Sequence, residues 1–282
     1  MNQFKANFLT LIFLFILSYG YSQEKLELRI SDNSGNSIPY TSVIWGKSLG
    51  LVTDSRGYLQ IPDKSKIDSL IISAIGYKNK IIREKEQFAN AELKVKLERD
   101  EIELPEIILA KYDLENELGS LESKQGNSYF KNNLCINLQG VLLVKGYKYP
   151  AICKSISVFI AKQSSANIPY RLRLYEINAD NLPGKDLASG NFIVNNYKIN
   201  SWNIYSLDSI NVQLPKNGFY VAVEWLCTDI KSENGLCIAQ SSKIEGNLSY
   251  YKYGNVGWMQ FPPLPSKKYL NIMLKVKIAT TK

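Results

Sequence analysis

The feature that constrains this chain most is an alternation of side chains with a period of two. Phe219, Val221, Val223 and Trp225 fall on one side of their segment, and Tyr220, Ala222 and Glu224 on the other. Tyr170, Leu172 and Leu174 oppose Arg171, Arg173 and Tyr175 in the same way, and Leu274, Val276 and Ile278 alternate with Lys275 and Lys277. Successive side chains of a strand point to opposite faces, so these segments gather their apolar residues on one face only when extended. Clusters of Gly, Asn and Pro separate the alternating runs, and Tyr, Ile, Val and Asn are abundant. The pattern predicts an all-β protein built of short strands packed as sandwiches.

The first 22 residues stand apart. Lys5 precedes an apolar run over residues 8–18, and Gly20 and Ser22 occupy the −3 and −1 positions before Gln23. This is the form of a secretory signal peptide, and the run is shorter than the roughly 20 residues a spanning helix requires. An exported chain is therefore expected, with no transmembrane segment once the signal is removed. What remains suffices for two ordinary domains. Its charge is uneven: residues 99–124 hold 3 basic and 8 acidic side chains, whereas residues 125–282 hold 18 basic and 8 acidic. In an exported protein, a basic half points to anionic glycans, lipid headgroups or cell-surface polymers rather than nucleic acid. Solubility alone is the competing explanation, since the basic residues are scattered singly along expected strands.

Residues 23–98 read as seven short strands. Asp32-Asn-Ser-Gly-Asn36 and Asp54-Ser-Arg-Gly57 form turns, with Gly57 at the end of the second. Three motifs in order, Asp32…Gly35…Ile38-Pro39, Gly50…Thr53-Asp54…Gly57-Tyr58-Leu59…Ile61 and Ile72-Ser-Ala-Ile-Gly-Tyr77, resemble the carboxypeptidase regulatory-like family. That resemblance implies a transthyretin-like sandwich of seven strands, a structural or interaction module without catalytic residues of its own. Leu104-Pro-Glu-Ile-Ile-Leu-Ala110 resembles the segment that follows such modules in TonB-linked outer-membrane systems, although the remaining length leaves no room for a plug and barrel.

Residues 99–131 are expected to form an acidic, solvated linker, with a helical turn or two over residues 112–123. A second β-sandwich of eight or more strands is expected over residues 132–282. Within it Arg171-Leu-Arg-Leu-Tyr-Glu-Ile177, Leu182-Pro-Gly-Lys-Asp-Leu187 and Phe219-Tyr-Val-Ala-Val-Glu-Trp225 are similar to jelly-roll ectodomains of exported proteins. The cysteines Cys135, Cys153, Cys227 and Cys237 all lie in this half. An oxidising compartment permits two disulfides, Cys227 with Cys237 across a hairpin loop and Cys135 with Cys153. Four reduced cysteines packed as small hydrophobes form the alternative.

The chain contains no histidine. Zinc-peptidase chemistry and the Ser-His-Asp and Cys-His nucleophiles therefore have no imidazole to rely on. Gly46-Lys-Ser-Leu-Gly50 has the Gly-x-Ser-x-Gly form, but a nucleophile elbow opens a helix and here a strand is expected next. Ser48 is thus a loop serine, and Thr41 stands where a phosphate-binding loop would place its first glycine. No metal, cofactor or catalytic set is implied.

Three groups remain as candidates. Tyr250, Tyr251, Tyr253, Trp258 and Phe261 cluster around Gly254 and Gly257, and can either stack on a sugar ring or pack a core. Glu176 and Glu224 are acids in apolar strands: a carboxylate pair for glycoside cleavage, or ion-pair partners for Arg171 and Arg173. Asn178, Asp180 and Asn181 offer oxygens to calcium without the spacing of a known loop. The sequence therefore leads to an exported, non-enzymatic binding or assembly protein of the cell envelope, periplasmic or surface-associated, with an envelope protein or glycan as partner. A carbohydrate-binding or carbohydrate-processing accessory protein is the alternative.

Overall fold

The computed structural model describes residues 24–46, 49–83, 85–100, 111–132, 138–165, 168–188, 190–228, 235–243, 246, 248–266 and 268–282. The expected signal peptide, Lys47, Ser48 and Cys135 lie outside them. Seven strands form the N-terminal module: β1 (Leu26–Asp32), β2 (Ser42–Trp45), β3 (Leu49–Val52), β4 (Tyr58–Ile61), β5 (Leu70–Ser73), β6 (Lys80–Ile82) and β7 (Glu92–Leu97). They make a three-stranded sheet in the order β4-β1-β7 and a four-stranded sheet in the order β3-β2-β5-β6. Leu26, Leu28 and Ile30 alternate inward along β1 and meet Trp45, Leu51, Leu70 and Ile72 from the second sheet. Only β1 with β7 runs parallel among these pairings.

The expected turn at Asp54 forms as read. Asp54 Oδ1 accepts from the amides of Arg56 and Tyr58 at 2.8 and 2.9 Å. Gly57 takes φ +70°, and a Cβ there would lie 2.6 Å from the carbonyl oxygen of Ile30. Positive φ together with this close backbone approach makes glycine the residue the turn demands.

The C-terminal body is the predicted all-β sandwich. Its strands are β8 (Leu114–Gly119), β9 (Ser128–Lys131), β10 (Leu138–Val144), β11 (Ala151–Ile160), β12 (Tyr170–Ile177), β13 (Pro183–Asp186), β14 (Phe192–Val194) and β15 (Ser201–Ser206). There follow β16 (Val212–Leu214), β17 (Phe219–Trp225), β18 (Cys237–Ser241), β19 (Ser249–Tyr253), β20 (Met259–Gln260), β21 (Asn271–Ile272) and β22 (Leu274–Thr280). One sheet runs β13-β12-β17-β10-β19-β20 with β14 on β12; the other runs β21-β18-β11-β22-β8 with β15 and β16 on β11 and β9 on β18.

The facing sides of the two sheets form the main core. Leu172, Leu174, Val221, Val223 and Trp225 from the first meet Ile156, Val158, Val276 and Ile278 from the second. Trp225 is fully buried, and its indole N–H donates to the Leu236 carbonyl at 2.9 Å, so the ring carries no unpaired donor into the core. Among the described residues no helix is long and apolar enough to cross a membrane.

Two expectations are corrected here. The segment 112–123 is no helical linker: β8 pairs antiparallel with β22 along six residues and belongs to the second body. Its acids explain the misreading and also the pairing. Glu117 meets Lys275 at 3.0 Å, and Glu115 pairs with Lys277, so charges that read as solvation are cross-strand partners on a sheet edge.

The disulfide scheme is corrected as well. Cys153 and Cys237 are free and buried, while Cys227 is disulfide-bonded to a partner outside the described residues. The expected hairpin staple between Cys227 and Cys237 does not form, because Cys237 is free. Cys227 instead packs into the N-terminal core, and its carbonyl accepts from Val52 N–H at 2.7 Å.

Candidate functional site

The second face of the β12-β17-β10-β19 sheet turns away from the main core, and cross-strand register sets its contents. Arg171, Glu224, Gln139 and Lys252 stand opposite one another on four adjacent strands and form a single polar row. The next row is Arg173, Ala222, Val141 and Tyr250. The polar row is the one covered by the N-terminal module. Ser42 and Ile44 of β2 and Ser73 of β5 line a cleft of about 240 Å³ together with Arg171, Arg173, Tyr175, Asp186, Glu224 and Lys252.

Buried charge dominates the cleft. Glu224 is fully buried and Arg171 is 3% exposed. Glu224 Oε2 accepts from Arg171 Nη1 at 3.0 Å and lies 3.4 Å from Arg173 Nη1. Arg171 also donates from Nε to Asn191 Oδ1 at 2.7 Å and from Nη2 to the Tyr40 carbonyl. Tyr40 adopts φ +51°, unusual for a residue with a bulky side chain, and its carbonyl belongs to the other module. Arg173 donates from Nε to Asp186 Oδ2 at 2.8 Å and lies over the Tyr175 ring at 4.9 Å. The Tyr175 hydroxyl donates to Gln139 Oε1 at 2.7 Å.

Two polar groups are left over. Glu224 Oε1 is buried and accepts no hydrogen bond. Lys252 forms no ion pair among the described residues; its ammonium sits 4.6 Å above the Trp258 ring. Burial pushes the Glu224 carboxyl up, but Arg171 and Arg173 outweigh it and hold the group below the usual range. Burial pushes Asp186 up against the pull of Arg173. Burial, reinforced by Arg173, lowers Lys252 to about 8. The arrangement can therefore present positive charge to a ligand.

The candidates from the sequence divide. Glu224 takes the ion-pair role with Arg171 and Arg173, whereas Glu176 lies at the opposite parity of β12 and accepts from Lys185 N–H at 3.4 Å. A cleavage pair of these two acids is excluded, since adjacent parities project to opposite faces. The aromatic group splits for the same reason. Tyr251, Tyr253 and Phe261 pack against the main core, with Tyr251 and Phe261 centroids 4.9 Å apart. Tyr250 and Trp258 lie on the other face, edge-on to Tyr220 and Tyr175 at 5.9 and 6.2 Å. Asn178 Oδ1 is used locally, accepting from the amides of Asp180 and Leu182 at 3.0 and 2.9 Å, and Asn181 takes φ +59° in the same turn.

Sequence reasoning missed Gln139, Asp186 and Lys252. The signal for Lys252 lay in Ser249-Tyr-Tyr-Lys-Tyr253, where a lysine sits at the parity of Tyr250 inside a strand. Gln139 gave no signal, because its importance comes from the strands beside it.

No family model matches this chain, and no curated protein does so. Two solved structures align with part of the chain. The cysteine protease and lectin-like domains of Cwp84, a surface layer associated protein of Clostridium difficile, align over 54% of this chain and 33% of theirs, at 16% identity and TM-score 0.39. The clostridial cysteine protease Cwp84 after propeptide cleavage aligns over 82% of this chain and 51% of its own, at 13% identity and TM-score 0.43. This chain thus spans a third to about half of those proteins, and likenesses of that strength carry no argument about function.

Proposed function

We propose that the protein is an exported, non-enzymatic binding component of the cell envelope, in which a carboxypeptidase regulatory-like module roofs a ligand cleft on a β-sandwich. The observation that carries this reading is the inter-module cleft, which Arg173, Glu224 and Lys252 line beside β2 and β5 and in which Lys252 has no ion-pair partner among the described residues. A cation without a counterion in a cleft is the kind of group that an anionic ligand completes. The chemistry favours holding over turnover. Guanidinium groups occupy both carboxylates, Glu224 is kept ionised, and Asp186 Oδ1 is taken by the Ala188 amide at 3.1 Å. A general acid needs a proton it can release towards substrate.

The test is capture from an envelope extract by the immobilised chain. Wild type should retain a component that elutes with salt, and a Lys252→Met, Arg173→Lys variant of unchanged circular dichroism should not. Retention by both proteins alike, or ester, peptide or glycoside turnover that disappears with Glu224→Gln, would overturn the reading.

A further inference from the structure

We propose that the cleft receives a single carboxylate group carried on a small, neutral, partly apolar body, with Lys252 and Arg173 of the sandwich on one side and Ser73 and Asn79 of the N-terminal module on the other. The inference rests on the ligand-cleft reading above and assigns its chemical class.

Charge decides how many negative charges the ligand carries. Arg171, Arg173 and Lys252 are the cations lining the cleft, and Glu224 and Asp186 the anions, so one positive charge is in excess. The lining residues of the N-terminal module add none. Arg171 and Arg173 are engaged with Glu224, and Arg173 with Asp186 as well. The excess therefore resides on Lys252, whose ammonium lies 4.6 Å from the Trp258 ring centre, a neutral neighbour that leaves the charge in place. One carboxylate brings the cleft to neutrality. A phosphate dianion would leave net negative charge beside Glu224 and Asp186, and a zwitterion would bring in another ammonium.

The walls decide what carries that charge. The Arg173 side chain keeps 19% of its surface exposed and Lys252 is half-buried, so both cations border the cleft without being sealed from it. Half-buried Ser73 and exposed Asn79 line it too, with a hydroxyl and an amide that donate to an oxygen without adding charge. Ile44, Ala74 and Ile75, all half-buried, give the module side an apolar wall. The volume of about 240 Å³ lies below the roughly 300–1,000 Å³ of sites for drug-sized ligands. The body is thus a short acyl chain or the last residue or two of a peptide; both sources present the same group.

The experiment is titration calorimetry on the whole chain with isovalerate, N-acetylglycylleucine, the C-terminal amide of that peptide, and inorganic phosphate. At least one of the two carboxylates should bind tenfold or more tightly than the amide and than phosphate. Tighter binding of the peptide acid identifies a chain terminus as the source, and tighter binding of isovalerate a free short acid; both support the assignment. Lys252→Met should lose at least tenfold. A carboxylate keeps its charge from pH 7 to 9.5, whereas Lys252, lowered to about 8 in the free chain, loses its own. Tyr175 stays neutral there because burial pushes it up, and the other charges lining the cleft are guanidiniums and the carboxylates paired with them. Wild-type affinity should therefore fall at least tenfold across that range. Because the pH profile is read on wild type, a variant that fails to fold does not remove the test. Binding indifferent to both pH and Lys252→Met overturns the proposal, as does an amide that binds like the acid. No heat from either carboxylate at millimolar concentration, or phosphate binding as tightly as they do, also overturns it. The ligand cleft itself then stands or falls separately, on whether capture from the envelope extract still depends on Lys252 and Arg173.

Discussion

Lys252 illustrates how a single side chain can work against the fold that holds it. Its ammonium is partly desolvated, sits near Arg173, and is offset by Glu224 and the Trp258 ring. Its proton affinity in the folded chain is therefore lowered from 10.5 to about 8. Between those two values the unfolded chain binds more protons at this position, so its contribution raises stability with increasing pH across that window. Below about pH 8 the cation's desolvation penalty is fully present. Lys252→Met should accordingly make the ligand-free protein more stable below pH 8, with the gain shrinking as pH rises towards 10.5. Urea midpoints of both proteins at pH 6.5, 8 and 9.5 measure it, and a variant less stable at pH 6.5 would contradict it. A substitution that stabilises the chain and removes binding marks a residue kept for function.

At the scale of the element, alternation determines which substitutions matter. Leu172 points from β12 into the main core and is 1% exposed, whereas Ile204 on β15 is 65% exposed. Leu172→Ala should cost roughly 2–5 kcal/mol through lost burial and the cavity left behind. Ile204→Ala should stay within about 0.5 kcal/mol. Denaturant titration of the pair checks both numbers, and equal effects would refute the assigned faces. Strand placement also governs the thiols. Cys153 on β11 is buried, and burial pushes its thiol up to about 12. Cys237 opens β18 with 2% exposure and is pushed upward for the same reason. Neither should react with iodoacetamide in the native chain, and both should react after unfolding without reductant, read by peptide mass spectrometry.

At the scale of the molecule, well-defined polar contacts join the two bodies. Arg171 reaches from β12 to the Tyr40 carbonyl while holding Glu224, and the Cys227 carbonyl accepts from Val52. Arg171→Met removes the inter-module bond and leaves the buried Glu224 with Arg173 as its remaining guanidinium. Breaking a buried pair from one side costs about 3–5 kcal/mol, because the surviving charge stays desolvated. The expected result is a fall of that size in global stability, with faster amide exchange at Val43 and Val52 than at Leu28. Unchanged exchange in β2 and β3 would show that the roof does not depend on this arginine.

How much was legible varies with the range of the interaction involved. The seven N-terminal strands, the Asp54 turn and the strands β12, β17 and β22 follow from patterns of two to six residues, which the local chain specifies. The same parity placed Arg171, Arg173 and Glu224 on one face and made their ion pairing a sequence-level expectation. Beyond that range the sequence was silent. Which strands neighbour one another decided that Gln139 and Lys252 complete the Glu224 row, that Tyr250 and Trp258 part company with Tyr251 and Tyr253, and that Cys227 faces the N-terminal module rather than Cys237. Those outcomes depend on sheet order and on how one module covers the other. They arise from contacts between residues tens to more than a hundred positions apart, whose energies no local window contains.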